Sequence, residues 1–201
     1  PGSGAVCAYD PKDGREIWRA RYGEGYSVVP RPIHANGRVY LATGFDRPSV
    51  LAVRVDGSGD VTDSHVEWTV SRGAPNTPSL VLKGDDLFFV SDAGIASCVS
   101  AKTGEVKWSE RLGGNFSASP ILAGNRVYFQ SEEGVGYVVS AGAKFELLAK
   151  NEIKERTLAS AAVDGDALLL TAGQLLRQML GAVGETDKIQ RRLDLLAALA
   201  A

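Results

Sequence analysis

The chain has 201 residues, of which 44% are hydrophobic and 23% charged, with a net charge of −2. That composition can bury a real core, lacks the basic face that nucleic-acid binding requires, and contains no run of about 18 apolar residues that would cross a bilayer as a helix. Cys7 and Cys98 are too few for a disulfide framework and wrongly spaced for a zinc site, so both read as small buried hydrophobes.

Pro1-Gly2-Ser3-Gly4 carries neither the charged nor the apolar region of a signal peptide. Two short strands are predicted next, at residues 5–9 and 16–21, joined by the turn in Tyr9-Asp10-Pro11-Lys12-Asp13-Gly14-Arg15-Glu16-Ile17-Trp18. Ninety residues on, Ser100-Ala101-Lys102-Thr103-Gly104-Glu105-Val106-Lys107-Trp108 says nearly the same thing. Trp18, Trp68 and Trp108 are 50 and 40 residues apart, and Leu147 stands 39 further on. An independent marker agrees. The runs that begin at Arg38, Asp86, Arg126 and Ala167 each follow a Gly-containing turn, at spacings of 48, 40 and 41.

Between the turns lie strands of five or six residues, the pattern of an antiparallel meander. A four-stranded unit of about 40 residues that repeats is a propeller blade, which buries both faces of its sheet only by stacking on neighbours. The expectation is therefore an all-β propeller. A partial blade spans residues 1–22, whole blades about 26–71, 76–111 and 116–150, and a last partial blade 157–179, with strands at 157–163, 167–171 and 174–178. Each tryptophan reads as blade-to-blade packing. This is about four blades, part of a larger ring, and open strand edges at its ends would favour self-association. Past Gly181 the composition changes, and residues 180–201 read as a helical tail with Thr186 as cap and Ile189, Leu193 and Leu196 on one face.

Candidate chemistry is sparse. His34 falls in a first strand and His65 beside a loop, with no nucleophile motif near either. The insertion that stretches one period from 40 to 50 residues places Asp56, Ser58, Asp60 and Glu67 at the first, third, fifth and twelfth positions of a calcium-loop pattern, but Val61 stands where a glycine is needed. By repeat symmetry the loops before each first strand share one face. They carry Tyr26, Arg31, Arg72, Asn76, Asn115, Phe116 and Arg156, aromatic and arginine side chains suited to a protein partner or a small anion.

The segments "GAVCAYDPKDGREIWRARYG", "GIASCVSAKTGEVKWSERLGG", "SASPILAGNRVYFQSEEG" and "ERTLASAAVDGDALLL" resemble bacterial proteins of pyrroloquinoline-quinone-like β-propeller repeats, over roughly residues 4–179. The resemblance is to the non-catalytic branch, similar to the outer-membrane assembly propeller lipoprotein. It implies a ring of seven or eight blades, export to the periplasm or cell surface, and a binding scaffold with a protein partner and no cofactor. The catalytic branch clamps its quinone between a tryptophan and two adjacent bonded cysteines, beside a calcium ion and an Asp base. This sequence has no Cys-Cys pair. A piece of a quinone-dependent dehydrogenase, or the sensor ectodomain of a larger receptor, are the alternatives.

Overall fold

A strand packed on both faces needs apolar residues in succession rather than in alternation, and the repeated runs are of that kind. In the computed structural model, which describes residues 1–23, 25–164 and 167–170, they form five sheets in chain order. The first holds β1 (Ala5–Tyr9) and β2 (Glu16–Arg21). The second begins with β3 (Ile33–Ala35), β4 (Arg38–Ala42) and β5 (Val50–Arg54). A two-residue strand β6 (Gly59–Asp60) and a single helical turn α1 (Thr62–His65) intervene before its last strand, β7 (Val66–Val70). The third is β8 (Val81–Lys83), β9 (Asp86–Val90), β10 (Ile95–Ser100) and β11 (Val106–Arg111). The fourth is β12 (Ile121–Ala123), β13 (Arg126–Gln130), β14 (Val135–Ser140) and β15 (Leu147–Glu152). The fifth holds β16 (Ala162–Asp164) and β17 (Ala167–Leu169). Sheets two, three and four are antiparallel meanders in the orders β3-β4-β5-β7, β8-β9-β10-β11 and β12-β13-β14-β15. They are propeller blades.

Three buried clusters lie between successive sheets. Val6, Trp18 and Ala20 of the first sheet meet Leu41, Leu51 and Val53 of the second. Tyr40, Ala52 and Trp68 meet Leu87, Phe89 and Val99. Phe88, Cys98 and Trp108 meet Phe129, Tyr137 and Val139. Within β9, Phe88 points to one neighbour and Phe89 to the other, which is why the strand reads as an unbroken apolar run.

The two turns that opened the sequence argument are the same turn. Gly14 N–H donates to Asp10 C=O and Gly104 N–H to Ser100 C=O, both at 2.8 Å. A bulge follows Ala8 in β1 and Cys98 in β10, and it places Trp18 opposite Ala8 and Trp108 opposite Cys98. Trp68 lies opposite Ala52 in the same way. The indoles bridge blades. Trp68 Nε1 donates to Ala101 C=O of the next sheet at 3.1 Å, and Trp108 Nε1 to Gly142 C=O at 3.0 Å. Gly104 has φ +73°, and a Cβ there would lie 2.8 Å from the Trp68 ring. Only glycine serves both the turn and the close approach.

The fourth sheet departs from the expected spacing. Its register sets Ala149, not Leu147, opposite Val138, the position that corresponds to Ala8, Ala52 and Cys98. The turn is one residue longer, closed by Ser140 N–H to Glu146 C=O where the third sheet uses Ser100 to Glu105. That blade therefore carries no tryptophan. A cavity of about 230 Å³, lined in part by Tyr128, Leu148, Ala149, Leu168 and Leu170, opens between it and the fifth sheet.

The insertion also departs. It forms a strand on a neighbouring sheet rather than a calcium loop. β6 pairs in parallel with β2, with Trp18 opposite Gly59 and Arg19 opposite Asp60. Val61 is buried in the cluster of Trp18, and its N–H donates to Arg19 C=O at 2.8 Å. In the last blade β16 begins only at Ala162, so residues 157–161 are not strand. The strand expected at 174–178 and the helical tail at 180–201 lie outside the described residues.

Candidate functional site: the loop face

In an up-and-down blade the loop into the first strand and the loop between the second and third strands emerge at one end. Seven such loops meet here among the described residues, closed by their own hydrogen bonds or tied to their neighbours. Thr43 Oγ1 accepts from Ser49 N–H at 3.0 Å, Ser91 Oγ from Ile95 N–H at 3.0 Å, and Ser131 Oγ from Val135 N–H at 3.2 Å. Nearer the axis Ser79 Oγ accepts from Arg31 N–H, Ser119 Oγ from Ser79 N–H and Ser160 Oγ from Ser119 N–H, at 3.0, 3.0 and 2.9 Å. One hydroxyl per repeat thus links each blade to the next. Asp92 and Glu132 were not singled out from the sequence. Their signal was there, in Ser91-Asp92-Ala93-Gly94 and Ser131-Glu132-Glu133-Gly134 at the 40-residue spacing. Asp92 Oδ2 accepts from Asn76 N–H at 2.7 Å. Ser117 Oγ donates to Glu132 Oε1 at 2.5 Å, and Arg156 Nη2 to Oε2 at 3.0 Å. The Ser117 hydroxyl, with the Arg156 guanidinium second, holds the Glu132 carboxyl below its usual range.

The expected binding residues divide. Phe116 is a correction: it is 1% exposed and packs against Tyr137 with ring centroids 6.2 Å apart. Its ring turns into the core, where its apolar surface leaves water. Asn115 is occupied by Glu133, to which its N–H and its Nδ2 both donate. Asn76 is half-buried and structural through its N–H. Arg156 is paired with Glu132 but exposed. Arg31 and Arg72 are exposed, and their side chains find no partner among the described residues.

Tyr26 differs from all of these. It is 58% exposed and lies beside Phe45, itself 47% exposed, with ring centroids 5.9 Å apart and planes tilted by 32°. The Phe45 N–H donates to Tyr26 C=O at 3.0 Å, an isolated bridge between the loop into β3 and the β4–β5 loop. Ser27 and Asp46 hold φ of 52° and 86°, a costly region for residues with a Cβ. Gly44 has φ +78°, and a Cβ there would come within 2.8 Å of Val28 Cα. The rings are thus presented outward on an over-determined backbone. Val29 in the same loop is also exposed. Phe45 belongs to a different loop from Tyr26, and the bridge that brings them together leaves no local sequence signal.

The calcium-pattern residues do not converge. Asp60 Oδ1 accepts from Thr62 Oγ1 at 2.6 Å and from Thr62 N–H at 3.1 Å, and Arg21 Nε donates to its Oδ2 at 3.1 Å. These bonds, the Thr62 hydroxyl first, hold the Asp60 carboxyl down to about 2. Glu67 is paired with Arg38, and Asp56 lies 3.4 Å from both Arg54 Nε and His65 Nε2. Ser58 is exposed. Among the described residues no group of three or more His, Cys, Asp and Glu side chains is placed to hold a metal ion. The quinone that the repeat is named for does not fit either. Cys7 lies in β1 and Cys98 in β10, two sheets apart and both free, so the adjacent-cysteine clamp cannot form.

Among the described residues no helix is long and apolar enough to cross a membrane. A comparison with curated proteins found no match. Among solved structures the chain is similar to BamB from Moraxella catarrhalis, at 15% identity and TM-score 0.65, over 83% of this chain and 51% of that one. It is also similar to the computationally designed Ika8 protein, at 12% identity and TM-score 0.69, over 85% and 50%. A weaker likeness to a europium-containing methanol dehydrogenase, at 13% identity and TM-score 0.48 over 60% and 24%, carries no argument. The chain spans about half the length of the first two structures, and at these identities the likeness shows the fold. The family model described as outer membrane protein assembly factor BamB matches twice, over residues 1–82 and 60–177. Three four-stranded blades, the tryptophan seats and that match place this chain in the BamB-like family of pyrroloquinoline-quinone-type propeller repeats.

Proposed function

We propose that this chain is a non-catalytic propeller scaffold of the bacterial cell envelope whose loop face holds a protein partner. The observation that carries the reading is the outward-facing pair of Tyr26 and Phe45. A ring exposed on a strained but bridged loop presents large contact area at little entropic cost on binding, and tyrosine and arginine are the side chains most enriched at binding hot spots. Arg47 follows two residues after Phe45, and its side chain, like those of Arg31 and Arg72, has no partner among the described residues. The family description, an assembly factor of the outer membrane, supports a partner and an envelope location of this kind.

The test compares the two ends of the propeller. A photo-activatable residue is placed at Val29 or Arg47 on the loop face, and at Asn36 or Thr103 on the turns of the opposite end, in chain expressed in a bacterial envelope. The expected result is a discrete protein adduct from Val29 and Arg47 that disappears in the Tyr26→Ser/Phe45→Ser variant. Adducts of equal yield from both ends, or adducts unaffected by that variant, would remove the loop face as the binding surface.

A further inference from the structure

We propose that the partner held at the loop face presents an acidic segment, with carboxylates to either side of an apolar side chain. Tyr26 and Phe45 take the apolar side chain, and the guanidinium groups of Arg31, Arg47 and Arg72 take the carboxylates. This rests on the binding role proposed above and names the chemistry of what is bound.

The repeat supplies its own control. Thr43, Ser91 and Ser131 occupy one position, since each hydroxyl accepts from the N–H on the far side of its loop. The residue after it is Asp92 in the third sheet and Glu132 in the fourth, and the scaffold uses both carboxylates. Asp92 accepts from Asn76 N–H, and Glu132 from Ser117 Oγ and Arg156 Nη2. In the second sheet that residue is Gly44, which has no carboxylate to offer. The next position holds Ala93 and Glu133 in the later sheets but Phe45 in the second. The connection is also longer. Residues 44–48 separate Thr43 from Ser49, where 92–94 and 132–134 separate the equivalent residues. Arg47 lies in this longer connection. Nearer the axis, the chain of hydroxyls from Ser160 through Ser119 to Ser79 ends on Arg31, where a further serine would continue it. The third and fourth sheets close the same connections without any of these changes, so building a blade does not require them.

The departures form one surface. The Tyr26–Phe45 bridge joins the loop into β3 to the β4–β5 loop. Ser49 Oγ and Ser71 Oγ lie 2.8 Å apart, which sets the segments carrying Arg47 and Arg72 side by side. Arg31 N–H donates to Ser79 Oγ and so ties the loop into β3 to the loop into β8.

Charge is unbalanced on that surface. Arg15, Arg19, Arg21, Arg38, Arg54 and Arg156 each pair with a carboxylate, and Arg111 donates to Ala93 C=O. Among the described residues the arginine side chains without such a partner are Arg31, Arg47, Arg72 and Arg126. All but Arg126 lie on the three joined loops, residues 25–32, 43–49 and 71–80, whose one carboxylate is Asp46, although the whole chain has a net charge of −2. A guanidinium binds a carboxylate through two parallel N–H bonds, and exposed aromatic rings take apolar contact. A bilayer surface fits less well. Anionic lipid draws clusters of about four to eight basic residues, whereas these loops carry three arginines and no lysine.

The test selects randomised peptides, displayed on phage, on the immobilised full chain. The retained peptides should carry about twice the Asp and Glu content of the input or more. Arg31→Gln/Arg47→Gln/Arg72→Gln should lower their retention about tenfold or more while keeping the parent denaturant midpoint, because these side chains hold nothing in the fold. Tyr26→Ser/Phe45→Ser should abolish retention. Peptides that need Tyr26 and Phe45, are no richer in Asp and Glu than the input and bind the Gln variant equally would overturn the acidic segment and leave the loop-face reading standing. A selection with no peptide dependent on Tyr26 and Phe45 would remove that reading, and this proposal with it. A chain that sediments with phosphatidylglycerol vesicles through these arginines, and binds the acidic peptides no better than their Asn and Gln counterparts, would assign the surface to lipid headgroups and overturn the proposal.

Discussion

The interface between the second and third sheets and the one between the first and second solve the same packing problem with different parts. In the former the joint is an apolar cluster with one side-chain hydrogen bond from its indole: Trp68 covers Gly104 and donates to Ala101 C=O. In the latter Trp18 is buried as well, but the insertion adds backbone bonds. β6 extends the first sheet beyond β2, Val61 fills the cluster, and Arg21 N–H donates to Thr62 Oγ1 at 2.9 Å. The difference teaches that the insertion is an edge cover as much as a loop. A parallel strand on the outer edge of β2 satisfies part of that edge and denies it to other chains, whereas β7, β11 and β15 have no such strand on their outer edges among the described residues.

The comparison breaks most sharply at Trp68. Trp68→Ala should cost about 3–5 kcal/mol in a denaturant titration, as loss of a large buried aromatic does. A variant that unfolds at the parent midpoint would mean the indole does not join the blades. Gly104→Ala attacks the same seat from the other side. It forces a Cβ into the left-handed region and against the ring, and should cost about 1–3 kcal/mol. The same change at Gly14, where nothing lies within 4 Å, should cost less, since only the backbone term remains.

The insertion predicts a pH dependence that the tryptophan seat lacks. The Asp60 carboxyl is held down to about 2 from 3.8. A carboxylate lowered on folding stabilises the folded state above its unfolded value, and that contribution is lost as pH falls through the folded one. The midpoint difference between wild type and Asp60→Asn should therefore be full at about pH 5 and shrink between about pH 4 and 2. A difference independent of pH over that window would show that Asp60 does not hold the insertion through its charge. Smallest of all should be Lys102→Ala and Glu105→Ala, on the turn around Gly104 but exposed. Each should stay within about 0.5 kcal/mol. A larger loss would place the turn itself, rather than the indole above it, at the centre of the interface.

Much of the loop face was legible residue by residue. Tyr26, Arg31 and Arg72 are where repeat symmetry puts them, exposed at one end of the blades. Phe116 is not, because a sequence position at a loop end does not say which way the ring turns. Asn115 and Arg156 reach that face but meet Glu133 and Glu132 there. Phe45, the partner of Tyr26, comes from a different loop, and a bridge between two loops leaves no mark in either one.

What the sequence determined by itself is the blade. Turn residues and doubly buried apolar runs recur at a fixed period, and both are local: they depend on backbone freedom at a few glycines and on which side chains avoid water. What only the tertiary structure decided are the contacts between repeats. A single extra residue in the β14–β15 turn shifts the tryptophan position by one, from Leu148 at the 40-residue spacing to Ala149, and Leu147 is not that position. The insertion lies on β2, some forty residues earlier in the chain, rather than in solvent. Such contacts join residues far apart in sequence, and their geometry depends on register and on the shape of the neighbouring blade, neither of which a local pattern encodes.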